Sequence, residues 1–179
     1  SPEATMRIPS QSIVENKAVA ACTTHTLQTA SAPSDVRVAI VVSRYNHAIT
    51  YSLLCGAVET LNNAGVVSGR IEVAEVPGAF ELPLAADALA CSGRFAAVLC
   101  LGAVIRGETT HDQHINTAVA NGIESVGRQY GIPVLFGLLT CDTLGQAEAR
   151  AGGDVGNKGA ECAEAAIAMI NLLQDVSGQ

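Results

Sequence analysis

The chain has 179 residues, 49% hydrophobic and 15% charged, which is about one domain's length and enough apolar material to bury a core. Ten Lys and Arg against 17 Asp and Glu leave a net charge of −7 with no basic stripe, which argues against nucleic acid as the main partner and still allows an anionic small substrate. No apolar run reaches the roughly 18 residues that span a bilayer, so the apolar surplus behind a mean hydropathy of +0.31 is expected at a subunit interface.

Residues 1–35 are rich in Ser, Thr, Ala and Pro without a sustained period, and are expected to form a flexible or loosely docked arm. The pattern changes at Val36, where Val36 to Val42 is a β-branched run of the kind that forms a parallel strand buried on both faces. Ala48 to Ala64 reads as a helix ended by Gly65, Arg70 to Val76 as a second strand stopped by Pro77-Gly78, and Ala79 to Ala90 as a second helix with Pro83 near its start. Ala96 to Leu101 is a third strand, followed by an expected loop over Gly102 to Thr110 and a helix from His111 to Tyr130. Pro133 to Leu139 is a fourth strand, Asp142 or Thr143 caps a short helix to Arg150, and a Gly-rich link over Gly152 to Gly159 leads into a last helix to about Leu173. This alternation predicts one α/β domain over 36–179 with a parallel sheet and helices on both faces. Ligands in such sheets bind beyond the carboxyl ends of the strands, so the loops there are the places to look for chemistry.

Tyr45 and Asn46 follow the first strand, where an aromatic and an amide suit a planar heterocycle; taken alone, a turn with a half-buried Tyr is the simpler reading. After the second strand, Pro77-Gly78 sets a tight turn and Phe80 and Glu81 stand at a helix start, as ligand groups or as a core ring and a dipole-complementing carboxylate. The loop after the third strand is the richest: two glycines, Gly102 and Gly107, two hydroxyls and a helix start suit an anion, and His111 suits proton transfer near neutral pH. His111 and His114 are three apart, but no third metal ligand is placed by spacing. Cys141 is a candidate nucleophile without an evident His partner and reads more simply as a buried thiol. None of the six cysteines forms a CxxC pair, and all read as reduced core thiols of a cytoplasmic-type compartment. Arg150 and Lys158 bracket the Gly-rich link, where Arg suits phosphate, although the spacing is not that of a nucleotide P-loop.

At these loops the sequence resembles the lumazine synthase family. The resemblance rests on Arg44-Tyr45-Asn46, on Val76-Pro77-Gly78-Ala79-Phe80-Glu81-Leu82-Pro83, on Gly102-Ala103-Val104-Ile105-Arg106-Gly107 with Thr109-Thr110-His111, on Phe136-Gly137-Leu138-Leu139-Thr140, and on Arg150-Ala151-Gly152 with Gly156-Asn157-Lys158-Gly159. The five stretches come in family order between Val36 and Leu173. The resemblance implies a flavodoxin-like three-layer sandwich around a central four-stranded parallel sheet. It also implies condensation of 5-amino-6-(D-ribitylamino)uracil with 3,4-dihydroxy-2-butanone 4-phosphate, releasing phosphate and water, with no cofactor and no metal. It implies a homo-oligomer built of pentamers with active sites between neighbours. The short turn over Gly152 to Gly159 extends that expectation to a closed sixty-subunit shell. A cytoplasmic location follows, or a plastid in a plant or alga.

By position, the resemblance makes Tyr45 the ring that stacks on the pyrimidine, with Asn46 beside it. It makes Ala79, Phe80 and Glu81 the ribityl-binding turn, and Val104 and Ile105 the lining of the pyrimidine. Gly107, Glu108 and Thr109 become the phosphate loop and His111 the general acid and base. Phe136, Arg150 and Lys158 become groups supplied across the interface, with Arg150 on the phosphate. Three positions depart from the family pattern: Asp112 stands where many members have an aromatic, Asp154 where many have Lys, and Glu108 puts a carboxylate beside the phosphate loop. Two rivals are a riboflavin synthase of the archaeal type on the same fold, and a non-enzymatic shell or flavin-binding protein, which the joint presence of His111, Arg150 and Lys158 disfavours.

Overall fold

The computed structural model describes residues 7–178; the ends of the expected arm and last segment, 1–6 and 179, lie outside the described residues. The arm carries more local structure than its composition suggests, because polar side chains cap short turns within it. Asn16 Oδ1 accepts the N–H groups of Ala18 (2.9 Å) and Val19 (3.4 Å) and starts a single turn, α1 (Lys17–Ala20), after a 3₁₀ turn over Ile13–Glu15. Further on, the arm lies against the domain: Asn171 Nδ2 donates to the carbonyls of Gln28 (2.8 Å) and Ser31 (2.9 Å), and the Ala32 N–H donates to Ala64 (2.9 Å). His25 pairs with Asp175 at 2.5 Å.

The domain then follows as β1 (Val38–Ser43), α2 (His47–Asn63), β2 (Ile71–Val76), α3 (Leu82–Cys91), β3 (Ala97–Ile105), α4 (His111–Tyr130), β4 (Val134–Cys141), α5 (Leu144–Ala149), β5 (Ala151–Gly153), β6 (Gly156–Asn157) and α6 (Lys158–Ser177). The four long strands pair in parallel in the order β2-β1-β3-β4. Every residue of β1 is buried, because side chains alternate between two covered faces. Val38, Ile40 and Val42 pack with Leu53, Ala57 and Leu61 of α2 and with Ala163, Ala166 and Ile167 of α6. Ala39 and Val41 point to the opposite layer, against Leu82 and Ala86 of α3 and Val119 and Ile123 of α4. The result is a three-layer, flavodoxin-like α/β sandwich.

Three expectations change in detail. Gly102 to Ile105 is not loop: these residues are apolar and extend β3, pairing with Leu138 to Cys141. Gly102 also serves packing, since a Cβ there would lie 3.0 Å from both Leu138 Cδ1 and Ser43 Oγ. The Gly-rich link is an antiparallel hairpin, β5-β6, with left-handed turns at Gly152 (φ 107°) and Gly156 (φ 109°). Of the six cysteines, Cys100, Cys141 and Cys162 are buried, whereas Cys22, Cys55 and Cys91 are exposed in the single chain, so only half are core thiols.

Asn157 joins the hairpin to both helices of one layer. Its Oδ1 caps α6 by accepting the N–H of Gly159 (2.9 Å) and Ala160 (3.1 Å), and its Nδ2 donates to the Ser52 carbonyl of α2 (3.0 Å). Asn157→Ala is expected to destabilise the domain by about 1–2 kcal/mol, from the lost cap and the lost second hydrogen bond to the Ser52 carbonyl. Urea unfolding checks this, and an unchanged midpoint refutes it.

Candidate active site

The chain runs from β1 to β2 on one side and returns to β3 on the other, so the sheet has its topological switch point between β1 and β3. The crevice opens beyond Ser43 and Ile105. At the end of β1, Pro77 O accepts the N–H groups of Arg44 (3.2 Å) and Tyr45 (3.1 Å), which turns the chain outward. The Tyr45 ring is left 69% exposed, so the buried-turn reading of this residue does not hold. Asn46 adopts φ 59° and ψ 46°, a left-handed conformation that Asn tolerates. Its carbonyl accepts the N–H of Ile49 (2.9 Å) and Thr50 (3.1 Å), and its Nδ2 donates to Ala103 O (2.9 Å). Asn46 therefore fixes the start of α2 to the end of β3, a structural duty that accompanies any contact with a ligand.

Beyond β2, Ala79–Glu81 is a 3₁₀ turn, and the α-helix proper begins only at Leu82. Glu81 Oε2 accepts the Gly78 N–H at 3.0 Å and closes the turn on itself, a role more specific than complementing the helix dipole. A Cβ on Gly78 would lie 2.8 Å from the Tyr45 ring, so this glycine lets the turn and the ring approach. Ala79 is buried, while Phe80 is 64% exposed and is not a core ring in the single chain.

Beyond β3, Val104 and Ile105 are half-buried, and Gly107, Glu108 and Thr109 are exposed. Thr109 Oγ1 accepts the His111 N–H at 3.4 Å, and His111 is the exposed first residue of α4. Asp112, the next residue, is buried, and its Oδ1 has no hydrogen-bond partner among the described residues. His111 and His114 are not joined by a third potential ligand: among the described residues no group of three His, Cys, Asp or Glu gathers for a metal.

The remaining candidates stand elsewhere. Phe136 is the third residue of β4, an edge strand, and is 40% exposed. It pairs with Cys100, which pairs with Val41, so at ~3.3 Å per residue it lies about 7 Å along the strands before the level of Ser43 and about 16 Å before that of Ile105. Arg150 ends α5 and lines a cavity of about 480 Å³ together with Thr140, Asp142 and Gln146. Its carbonyl accepts the Lys158 N–H at 2.9 Å, and the Lys158 ammonium lies 3.7 Å from Glu161. Cys141 is buried; burial, reinforced by the neighbouring Asp142 carboxylate, pushes its thiol up and away from the thiolate a nucleophile needs.

The sequence reading missed the link between the third and fourth strand ends. The Arg106 N–H donates to Cys141 O (2.8 Å), and its guanidinium lies 3.4 Å from Asp142 Oδ1. Two oppositely charged residues 36 apart carry no local signal of pairing; only the parallel register brings them together.

Among the described residues no helix is long and apolar enough to cross a membrane. The family model described as 6,7-dimethyl-8-ribityllumazine synthase matches residues 35–174, a span that contains the whole sheet and every residue named above as a site candidate. The chain thus belongs to the lumazine synthase family of transferases, which form lumazine in riboflavin biosynthesis.

Proposed function

We propose that the chain condenses 5-amino-6-(D-ribitylamino)uracil with 3,4-dihydroxy-2-butanone 4-phosphate to 6,7-dimethyl-8-ribityllumazine, releasing phosphate and water. What supports this reading is that an exposed aromatic, a self-closed turn and the loop before an acid–base side chain follow the carboxyl ends of three adjacent strands, β1, β2 and β3. Tyr45 is packed against the Gly78 turn that presents Phe80 and Glu81, and Ile105 leads directly into the loop before His111. In this reading Tyr45 stacks on the pyrimidine, Ala79, Phe80 and Glu81 take the ribityl chain, and Val104 and Ile105 line the ring. Asn46 stands at the rim. Gly107, Glu108 and Thr109 receive the phosphate, chiefly through backbone N–H groups, and His111 moves the protons that imine formation and dehydration require.

Phe136, Arg150 and Lys158 are proposed to serve a neighbouring copy. The place of Phe136 on the edge strand β4, set five positions back from Ile105 in the register, supports this. Leu84, 77% exposed, and Phe136 are apolar surface that an assembly would cover. The family forms oligomers; a pentamer, closing into a sixty-subunit shell, is the assembly proposed here, and native mass measurement tests it.

The direct test is an absorbance assay with both substrates. Turnover of dimethylribityllumazine alone, without the condensation, would favour the archaeal-type riboflavin synthase instead. Within the synthase reading, Arg150→Ala is expected to weaken the apparent affinity for the butanone phosphate by about 1.5–3 kcal/mol, the worth of a charge-assisted hydrogen bond. Weakening confined to the pyrimidine substrate would assign Arg150 a different role.

A further inference from the structure

We infer that Gln146 is an anion-binding residue, whose side-chain Nε2 donates to the phosphate of the butanone substrate beside Arg150. The inference rests on the reading of Arg150 as the phosphate-holding group and adds a second side chain to it.

Gln146 is the third residue of α5, and Arg150 is its C-cap, still in the helical region at φ −97° and ψ 0°. Residues four apart on a helix share one face, with Cβ atoms roughly 5–6 Å apart, and both of these line the cavity of about 480 Å³. The orientation of the Gln146 amide is dictated by its neighbours. One amide atom takes the N–H groups of Asp142 (2.8 Å) and Thr143 (3.3 Å). Both of those partners are donors, so the atom that faces them is the oxygen, Oε1. Thr143 Oγ1 accepts the Gln146 N–H in return (3.2 Å), which completes a capping box and holds the side chain in place. The planar amide then turns Nε2 away from these backbone groups. Its two N–H donors have no hydrogen bond among the described residues.

Capping alone does not call for glutamine. A glutamate here would close the same box, but it would add a second carboxylate to a cavity that already contains Asp142. What glutamine supplies beyond glutamate is a neutral N–H donor. A phosphate monoester carries about −1.5 to −2 at pH 7 and three acceptor oxygens, more than one guanidinium satisfies. Arg150 also interacts with a group of its own chain, so it does not serve a ligand alone. Thr140, exposed near the end of β4, brings a hydroxyl to the same lining. Asp142 only accepts, and its carboxylate lies 3.4 Å from the Arg106 guanidinium, so it offers the anion no bond.

The test is calorimetric titration of the full chain, in its native assembly, with inorganic phosphate, alongside urea unfolding and steady-state assays. The decisive variant is Gln146→Glu, which keeps the capping box and replaces the donor with a carboxylate. It is expected to weaken phosphate binding roughly 10- to 100-fold, the worth of one charge-assisted hydrogen bond, at an unchanged unfolding midpoint. Gln146→Met removes the cap and the donor without adding charge. It is expected to lower the midpoint and to weaken phosphate binding by about 10-fold. The gap between the two variants should close in 1 M salt, where the Debye length falls to about 3 Å. In catalysis, Gln146→Glu should raise KM for the butanone phosphate by a similar factor and leave kcat and the pyrimidine KM nearly unchanged. Wild-type phosphate affinity in Gln146→Glu, a lowered unfolding midpoint in that variant, or no phosphate binding by the wild type overturns the inference. A wild type without condensation activity that still shows this pattern with phosphate overturns the synthase reading and leaves the inference standing. Intact condensation with an unchanged KM for the butanone phosphate in Gln146→Glu does the reverse.

Discussion

His111→Ala is expected to slow lumazine formation roughly 10- to 1,000-fold. General acid–base groups contribute typically 10²- to 10⁴-fold, and the lower range applies here because His111 is exposed at the start of α4, where water can take over part of the proton transfer. In the proposed mechanism the residual rate reflects substrate positioning by Tyr45, the Ala79–Glu81 turn and the Gly107–Thr109 loop, which the substitution leaves in place. The fall should appear in kcat, with little change in KM for either substrate, since the imidazole moves protons in the transition state and holds neither reactant in the ground state. Steady-state rates with each substrate varied in turn check this. A variant with wild-type kcat removes His111 from the mechanism.

Gly159→Ala is expected to cost about 3 kcal/mol or more, the upper end of overpacking effects. A Cβ at this position would lie 1.9 Å from the Leu53 carbonyl oxygen and 2.6 Å from its carbon. Both obstacles are backbone atoms inside α2, so no rotamer change relieves the clash; α6 and α2 must separate. The same contact is built from two more residues, because a Cβ on Gly56 would meet the Asn157 amide at 2.5 Å. Separating the helices would loosen Asn157 from Ser52 and open the layer that contains Leu53, Ala163 and Ile167. Urea unfolding should show a lower midpoint at unchanged slope. Gly145→Ala serves as the control: its nearest outside atom is Thr143 Oγ1 at 3.9 Å, so the added methyl should be neutral or stabilising by up to about 1 kcal/mol. Equal midpoints for the two variants would refute the close approach of α2 and α6.

The sequence by itself determined the layering and its order. Val36 to Val42 and Ala96 to Leu101 were readable as buried strands because a strand covered on both faces has no polar position to interrupt it. The helix from about His111 to Tyr130 was readable too, since its start follows a polar loop and its end carries Gly131, left-handed at φ 67°. The candidate loops were readable too, because a parallel sheet sends its strand ends to one edge. What the tertiary structure decided is how groups distant in sequence meet there. The loop expected at Gly102 is a strand because Leu138 to Cys141 lie beside it, and backbone pairing outweighs the flexibility of one glycine. Asn46 carries a structural duty the sequence does not announce, since its amide donates to the carbonyl of Ala103, 57 residues away. Phe136 is placed across an interface by the resemblance alone; the register adds that it stands on the edge strand, five positions back from Ile105. Arg106 and Asp142 carry no motif, and their pairing exists only because β3 and β4 end side by side. Local patterns record which face of an element is buried; they hold no information on which distant atom a polar group will find, and that partner is fixed only when the strands settle into register.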